Sequence, residues 1–299
     1  MYVVLGASGN TGGVVARSLL ARKHRVRVVG RDAAHLQSLA SEGAEVFVSD
    51  LTNAASLSQA FNKADAAYVM VPPNPTSNDY RGYQNRVTDA IATAATNAGL
   101  TNIVSLSSFG ADKASGTGPV LGLHELEQKL NQVDGANVLH LRAGYFMENT
   151  LPQVGAIRMA GSTVGPLRPD LKLPFIATAD IGAAAADALL GLAFKGKQTH
   201  ELQGQRDLDY TEIAAIIGNA IGKPDLGYIQ APDEQLRAAF VQMGMSENFV
   251  GLMLEMCVAL NNGHMRTLEP RTSKNTTPTK YETFVAEKFV PAFEQKAAA

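Results

Sequence analysis

The stretch that decides the fold is Val3-Val4-Leu5-Gly6-Ala7-Ser8-Gly9-Asn10-Thr11-Gly12-Gly13, near the start of the 299-residue chain. A short apolar run leads directly into glycines spaced G-x-x-G-x-x-G, and an amphipathic helical pattern follows. Gly6 permits a tight bend after a strand, Gly9 lets the backbone approach a pyrophosphate, and Gly12 lets the helix pack close to the sheet. The helix N-terminus offers free N–H groups and the positive end of its dipole to the phosphates. Strand, glycine turn and helix in this order predict a dinucleotide-binding turn; the alternative is an ordinary glycine-rich turn of another α/β protein.

Composition and charge exclude several classes of protein. Apolar residues make up 45% of the chain, which is enough for a well-packed core. The formal charge is −2. No basic stripe is visible, so we expect no nucleic-acid partner. The longest apolar stretch, Ile181 to Phe194, contains Asp187 and is too short to cross a bilayer, so we expect no membrane span. With one cysteine, Cys257, and a first predicted strand at Tyr2, we expect no disulfide, no signal peptide and a cytoplasmic location.

Strand and helix patterns alternate through the first half of the chain. The strand patterns are short, apolar and mostly contain β-branched residues, and the helix patterns have a helical period. The predicted strands cover 2–5, 25–29, 45–48, 66–71, 102–106 and 137–141, and the predicted helices cover 11–22, 33–41, 54–61, 80–98 and 122–132. This alternation predicts an α/β fold of the Rossmann type, with a doubly wound parallel sheet that binds its ligand at the carboxyl ends of its strands.

The pattern changes after residue 144. Residues 144–174 are rich in glycine and proline without a long period, whereas a helix over 179–194 and a strand over 199–202 indicate a return to the sheet. Further helices are predicted at 211–221, 233–243, 247–260 and 283–290. We therefore expect residues 1–144, joined by residues 179–204, to form an NAD(P)-binding domain. Residues 145–178 and 205–299 would form a smaller, partly discontinuous lobe that covers the strand ends.

The end of the second predicted strand, Val29-Gly30-Arg31-Asp32, bears on the choice of cofactor. A site that prefers NAD places an Asp or Glu close to this point against the ribose hydroxyls, where this chain has Gly30. The glycine leaves space, and the Arg31 guanidinium supplies a two-pronged partner for a 2′-phosphate. The sequence therefore favours NADP(H) as the cofactor and leaves NAD(H) open. The alternative is that Arg31 is a solvated surface charge and that Asp32 takes the ribose role.

Three later strands end in residues suited to the rest of a dinucleotide. Asp50 and Leu51 close the third strand, where a carboxylate can accept the adenine amino group; Asp50 can instead cap the helix that begins near Ala54. Prolines stop the fourth strand beside the expected adenosine ribose. Serine hydroxyls at the end of the fifth strand would lie near the expected nicotinamide. The alternative is that these serines only form hydrogen bonds with the backbone of the turn. The residues concerned are Val71, Pro72, Pro73, Ser107 and Ser108.

Several motifs together resemble those of the NmrA-like family, a group of atypical short-chain dehydrogenases/reductases. They are the glycine turn, Arg31 after the second strand, Ser107-Ser108-Phe109-Gly110-Ala111, Arg142-Ala143-Gly144-Tyr145-Phe146-Met147-Glu148-Asn149 and the late Thr277-Pro278-Thr279-x-x-Glu282-x-Phe284-Val285. The similarity spans nearly the whole chain. The glycine turn alone is common to many families, whereas its combination with Gly-Tyr-Phe-Met-Glu-Asn is specific.

The resemblance implies two kinds of function and a set of site residues. Some family members are NADPH-dependent reductases of quinones, dyes or phenylpropanoid compounds, and others bind NAD(P) and act as redox-sensing regulators through protein partners. The residues that would hold the dinucleotide are Gly6, Ser8, Gly9, Asn10, Thr11, Gly12 and Arg31, with Val71 and Pro72 lining it. Tyr145, Phe146 and Asn149 would lie near the nicotinamide and the substrate.

The chain departs from typical short-chain dehydrogenases in its proton donor. Those enzymes use Tyr-x-x-x-Lys, in which the lysine lowers the tyrosine pKa, and no tyrosine here has a lysine four residues later. Lys129 is four residues after Glu125, and we expect the two to pair on a helix surface. His124 is a nearby group suited to donate a proton at neutral pH, so His124 and Tyr145 are the candidate catalytic residues. A structural role for His124 is the alternative.

The sequence thus predicts an NADP(H)-binding oxidoreductase that transfers a hydride from NADPH to a flat, electron-poor acceptor such as a quinone. Its partner would be a small aromatic or quinone-like substrate. Methionines at 243, 245, 253 and 256 would form an adaptable apolar cover, or else fill the core. The alternative function is a non-catalytic NADP(H) sensor that acts through a protein partner, and the absent Tyr–Lys pair disfavours an isomerase or epimerase. No metal site is expected, and a homodimer is left open.

Overall fold

The computed structural model describes residues 1–295, and seven parallel strands form its central sheet. The strands are β1 (Tyr2–Leu5), β2 (Val26–Gly30), β3 (Glu45–Val48), β4 (Ala66–Val69), β5 (Asn102–Ser108), β6 (Asn137–Ala143), β7 (Tyr145–Phe146), β8 (Thr163–Gly165), β9 (Leu173–Ile176), β10 (Lys197–Leu202), β11 (Asp207–Leu208) and β12 (Tyr228–Gln230). The order in the central sheet is β10-β6-β5-β4-β1-β2-β3, so the winding reverses beside β1. This is the predicted doubly wound α/β fold of the Rossmann type, in which ligands bind where the winding reverses.

Helices cover both faces of the central sheet. They are α1 (Asn10–Ala21), α2 (Gln37–Ser41), α3 (Ala54–Phe61), α4 (Tyr80–Asn97), α5 (Leu121–Asn131), α6 (Gln153–Ala160), α7 (Thr178–Gly191), α8 (Tyr210–Ala220), α9 (Asp233–Gln242), α10 (Glu247–Asn261), α11 (Tyr281–Phe284) and α12 (Val290–Glu294). Apolar residues of α3, α4 and α5 pack on one face, and those of α1, α2 and α7 pack on the other. Because both faces are buried, strands such as β4 are apolar at every position.

A third apolar core holds the C-terminal elements on the ends of the central strands. It contains residues of α6, α8, α10 and α11 and of the small sheet β11-β9-β7, and a second small sheet pairs β12 with β8. Phe109 and Val120, from the segment between β5 and α5, belong to the same core. The C-terminal elements are therefore packed directly against the carboxyl end of β5, where a ligand of this fold binds.

The structure differs from the predictions at several points, three of which concern helices. The helix expected over 33–41 is a 3₁₀ turn followed by the short α2, because the Asp32 carboxylate accepts the N–H of Ala34 at 2.8 Å and fixes a turn there. The region expected to have no long period contains α6, which was missed between Pro152 and Gly161. The helix expected over 283–290 has a π-helical middle, Val285–Phe289, between α11 and α12.

Candidate functional site

The glycine turn between β1 and α1 combines two structural glycines with one open one. Gly6 has φ +63°, a left-handed conformation that favours glycine. A Cβ at Gly12 would lie 2.4 Å from the carbonyl oxygen of Gly6, so the helix packs there only without a side chain. Within the described residues, a Cβ at the exposed Gly9 would meet that oxygen alone, at 3.3 Å. The fold needs Gly6 and Gly12, whereas Gly9 leaves space for a phosphate to approach the N-terminus of α1.

The polar side chains of the turn differ in what they offer to a ligand. Ser8 and Asn10 are exposed. Thr11 is buried, and its hydroxyl accepts a hydrogen bond of 2.9 Å from the Tyr68 hydroxyl on β4. A contact from Thr11 to a ligand would therefore come from its main-chain N–H, while its side chain joins β4 to α1.

A cavity of about 350 Å³, the polar groove, lies on one side of the turn at the ends of β2 and β3. Arg31 and Asp50, both predicted as cofactor residues, line it together. The full lining is Gly6, Ser8, Val29, Gly30, Arg31, Asp50, Leu51, Thr52, Pro72, Asn74, Tyr83 and Arg86.

Hydrogen bonds exclude one of the two alternative roles of Asp50, that of the helix cap. Its Oδ1 accepts from the N–H and the hydroxyl of Thr52, each at 2.8 Å. Asn53 caps α3 instead, because its side chain accepts the N–H of Ser56 at 3.0 Å. Asp50 therefore does not cap α3, which was one of its two alternative roles, and its contact with adenine stays a prediction.

A second cavity of about 270 Å³, the apolar cavity, lies on the other side of the turn at the ends of β4, β5 and β7. Ser107, Ser108, Tyr145, Phe146 and Asn149, all predicted site residues, line it together. The remaining lining residues are Met70, Val71, Pro73, Tyr80, Gln84, Leu106, Phe109, Pro119, Val120, Leu123, Gly144, Met256, Leu260 and Met265. Within residues 1–295, no lining residue of this cavity carries a formal charge.

The wall between the two cavities is the segment that follows β4. Met70, Val71 and Pro73 line the apolar cavity, whereas Pro72 and Asn74 line the polar groove. β4 ends at Val69, two residues before the predicted end, because the chain leaves the sheet to form this wall. A phosphate-binding turn with a cationic groove on one side and an uncharged cavity on the other fits a dinucleotide lying across it.

Ser107 belongs to a buried polar chain that the sequence did not predict. Its hydroxyl donates a hydrogen bond of 2.5 Å to Glu127 on α5, and Glu127 accepts two more from Arg142, at 2.9 and 2.6 Å. Burial lowers the pKa of Arg142, but Glu127 and the nearby Asp112 and Glu201 hold that pKa above its usual value. Because its proton points to Glu127, the Ser107 oxygen is left as a hydrogen-bond acceptor for a ligand.

Tyr145 is enclosed by other aromatic and polar side chains. Its ring packs edge-on against Phe175 with centroids 5.2 Å apart, and Tyr210 and Asn149 lie close enough to affect its pKa. Burial raises the pKa of Tyr145 well above its usual value. A Tyr–Lys pair works in the opposite direction, so this phenol is placed to donate a hydrogen bond rather than to lose its proton.

His124 occupies a different position from the one expected of a proton donor. Its Nδ1 lies 2.8 Å from the carbonyl oxygen of Ala111 and can donate to it. Leu123 lines the apolar cavity, but in the described part of the chain His124 is not among the lining residues. This placement favours the structural alternative, and a catalytic role for His124 stays a prediction to be tested.

The expected pair of Lys129 with Glu125 is wrong. Lys129 binds Asp89, and Glu125 forms an ion pair of 2.6 Å with Arg81. Both partners lie on α4, which packs beside α5, so the contacts run between helices rather than along one.

The methionine cover is narrower than expected. Of the four methionines predicted for it, Met256 lines the apolar cavity, and Met243, Met245 and Met253 are not among the lining residues described. Met243 is 71% exposed, and Met245 packs in a separate small cluster. Met70 and Met265 line the cavity instead. Cys257, next to Met256 on α10, is buried, and burial raises the pKa of its thiol to about 12, which disfavours a role as a nucleophile.

Comparison with known proteins places the chain in a family. The family model described as "NmrA-like family" matches residues 2–287. The chain belongs to the NmrA-like family. It is 30% identical over 256 residues, 86% of each chain, to an NAD(P)H azoreductase from Xenophilus azovorans.

Solved structures of other proteins share the fold. An NADPH-dependent quinone oxidoreductase from Escherichia coli, complexed with NADPH, superposes with a TM-score of 0.81 at 24% identity, over 98% of this chain and all of that chain. The negative transcriptional regulator NmrA, in complex with NADP, superposes with a TM-score of 0.67 at 17% identity, over 98% of this chain and 96% of that chain. At these identities, the likeness extends to the fold and not to the substrate.

The segment from Gly144 to Asn149, one of the motifs on which the resemblance to this family rested, forms bonds to α7 through Glu148. Glu148 accepts the hydroxyl of Thr178 at 2.5 Å and the N–H of the same residue at 3.1 Å, at the start of α7. Thr150 accepts a hydrogen bond of 2.9 Å from the Tyr281 hydroxyl, which links the motif to the late segment that begins α11. These bonds fix the backbone from which Tyr145 and Asn149 reach the apolar cavity.

Sequence reasoning missed the contributions of α4 and Glu127. Tyr80 and Gln84 line the apolar cavity, and Tyr83 and Arg86 line the polar groove. A usable signal was present for Glu127, because it lies four residues after Leu123 on the buried face of α5, and a buried carboxylate requires a partner.

Residues 1–295 contain neither a candidate metal site nor a candidate membrane-spanning helix. No group of three or more His, Cys, Asp or Glu side chains there is arranged to hold a metal ion. In the same residues, no helix combines the length and apolar character that crossing a membrane requires.

Proposed function

We propose that this protein is an NADPH-dependent reductase of flat, uncharged aromatic acceptors such as quinones. The observation that carries the proposal is the position of the glycine turn between the polar groove, which contains Arg31, and the uncharged apolar cavity. The 30% identical azoreductase and the shared fold of the quinone oxidoreductase support the same class of reaction.

The proposed binding of the cofactor depends on three features of the chain. Gly9 leaves the N-terminus of α1 open to the diphosphate, and Arg31 would bind a 2′-phosphate in the polar groove. The nicotinamide would then lie in the apolar cavity beside Ser107 and Ser108, where the oxygen of Ser107 can accept an N–H. When bound, NADPH supplies a hydride.

The acceptor end depends on the shape and polarity of the apolar cavity. A volume of about 270 Å³ lies just below the usual range of ligand pockets, roughly 300–1,000 Å³, so we expect acceptors with a small ring system rather than bulky ones. An uncharged lining would leave a carboxylate or sulfonate without a partner, which disfavours anionic acceptors. Tyr145 and Asn149 would orient an acceptor oxygen by hydrogen bonds. Because a quinone stabilises its own negative charge, water can supply the proton.

The direct test is oxidation of NADPH by the purified protein with a panel of acceptors. We expect benzoquinones and naphthoquinones to be reduced. Small keto acids, which a reductase would convert into hydroxy acids, and sugars should not be reduced. Azo compounds test whether the acceptor class extends to that of the azoreductase relative. Turnover of charged small carbonyl acids in preference to quinones would overturn the proposal.

A non-catalytic NADP(H) sensor is the second candidate. One observation favours it: within the described residues, the apolar cavity lacks an activated proton donor, since burial raises the pKa of Tyr145 and His124 lies outside the lining. The fold shared with the NADP-bound regulator NmrA agrees with this candidate. Tight NADPH binding without oxidation by any aromatic acceptor would favour the sensor.

A further inference from the structure

We propose that Arg86 is a second ligand for the 2′-phosphate of the cofactor, and that the phosphate competes for it with Asp79. The inference rests on the proposed NADP(H) preference. It adds a residue from α4 to a site that sequence patterns assign to the end of β2.

The first observation is that two arginines from distant parts of the chain line one groove. Arg31 follows β2 and Arg86 lies on α4, and both border the polar groove. Asp50, the acidic residue of the lining, is already engaged by Thr52. A phosphate monoester carries about −1.5 to −2 charges near pH 7, so a second guanidinium matches charge that Arg31 alone would leave unmatched.

The second observation is that one face of α4 forms the wall of this groove. Tyr83 and Arg86 are three residues apart, so they share a helix face, and both line the groove. Arg31 borders the same groove, and its charge opposes the rise in the pKa of Tyr83 that burial causes. Arg31 and Arg86 therefore border the same groove, one from the end of β2 and the other from α4.

The third observation is that the ion pair of Arg86 with Asp79 is weak. Arg86 Nη1 lies 3.3 Å from Asp79 Oδ2, and the two side chains are 58% and 69% exposed. Exposed ion pairs at this distance contribute little, whereas phosphate binds a guanidinium through strong charge-assisted hydrogen bonds. The other oxygen of Asp79 accepts the N–H of Gly82 at 2.9 Å and caps α4, so Asp79 stays in place when Arg86 moves away.

The test uses two fragments of the cofactor, adenosine 2′,5′-bisphosphate and AMP, titrated against the full-length protein by calorimetry. We expect Arg86→Ala to weaken binding of the bisphosphate roughly tenfold, the size of one charge-assisted hydrogen bond, and to leave AMP binding unchanged. We expect Asp79→Asn to tighten binding of the bisphosphate, because asparagine keeps the helix cap but no longer competes for Arg86. Arg22→Ala is the matched control, since this arginine is also about half-exposed in an ion pair, with Asp187.

The outcomes separate this inference from the proposed function. If Arg86→Ala binds the bisphosphate as the wild type does, or loses both fragments equally, Arg86 is not a phosphate ligand. Weaker binding of the bisphosphate by Asp79→Asn would contradict the competition. If the wild type does not prefer the bisphosphate to AMP, and Arg31→Ala changes nothing, then the NADP(H) preference itself fails.

Discussion

Tyr80 and Tyr83 lie three residues apart on α4, with ring centroids 6.3 Å apart, yet they line different cavities. Tyr80 borders the apolar cavity and Tyr83 borders the polar groove, so the first turns of α4 belong to both. The N–H of Tyr80 donates to Asn248 at 2.9 Å, and its ring lies 4.8 Å from that of Phe249. One helix N-terminus thereby joins the proposed adenosine site, the proposed acceptor site and α10, which supplies Met256 to the cavity.

The glycines of the turn provide a matched pair of substitutions. We expect Gly9→Val to abolish NADPH binding while the protein stays folded, because the new side chain occupies the open space and meets the fold only at 3.3 Å. Gly12→Val should instead lower the free energy of unfolding by about 1–3 kcal/mol or more, because its Cβ would lie 2.4 Å from the Gly6 carbonyl oxygen. Fluorescence titration and urea unfolding measure the two effects. Normal NADPH binding by Gly9→Val would make the turn purely structural.

The proton supply can be tested at His124 and Tyr145. We expect His124→Ala to change quinone turnover little, since the ring bonds the Ala111 carbonyl outside the cavity lining. Tyr145→Phe should raise KM more than it lowers kcat, because its hydroxyl orients the acceptor. A carbonyl acceptor, which needs a proton more than a quinone does, is the sensitive comparison. A loss of roughly 10²–10⁴-fold for either variant with that acceptor would identify a general acid.

Glu127 and Glu125 lie on the same helix, and each forms an ion pair with an arginine. Because Glu127 is buried and Glu125 is partly exposed, substitutions at the two positions compare how much a buried and a surface ion pair contribute to stability. Glu127→Gln weakens the bidentate bond to the buried Arg142, and breaking such a pair costs about 3–5 kcal/mol of unfolding free energy. Glu125→Gln removes its pair with Arg81 and should cost about 1 kcal/mol or less. Urea denaturation of both variants checks the difference, and equal losses would contradict the assigned importance of the buried chain.

His140 gives the stability a defined pH dependence. It is 1% exposed, its ring nitrogens bond Ser105 and Asn131, and burial lowers its pKa to about 4. The pKa of an unfolded histidine is about 6.5, so as pH falls from about 6.5 to about 4 the unfolded chain takes up a proton that the folded protein does not. His140 therefore stabilises the fold fully above this window, and about 3 kcal/mol is lost across it.

The measurement is urea unfolding across this pH window for the wild type and for His140→Gln, whose amide can still bond both partners. The variant should show a shallower decline in stability towards low pH. The same decline in both proteins would assign the acid sensitivity to other groups.

Local sequence signals predicted the elements that depend on neighbouring residues. The bounds of β1, β3 and α3 agree with their predictions, because each is a short periodic run bordered by turn residues. α6 was missed because its eight residues lie between Pro152 and Gly161, which suggested a loop. The glycine turn and Arg31 could be proposed for dinucleotide binding because the spacing typical of such a site is local in the sequence, and their roles stay predictions.

Contacts between distant residues account for most of what the sequence could not show. The partners of Glu127 lie 20 and 15 residues away, and Lys129 bonds a neighbouring helix, not its own. The role of α4 as the wall of both cavities depends on how the chain turns after β4. Such pairings follow from the packing of the sheet and its helices, which a single sequence does not specify.

The measurement that tests the central claim most directly is the rate of loss of reduced-nicotinamide absorbance when the purified protein is mixed with NADPH and a naphthoquinone. We predict steady oxidation of NADPH by the wild type, a slower rate with NADH at equal concentration, and no oxidation by Gly9→Val. Binding of NADPH without oxidation by naphthoquinones, benzoquinones or azo compounds would contradict the account and leave the sensor as the better explanation of the fold.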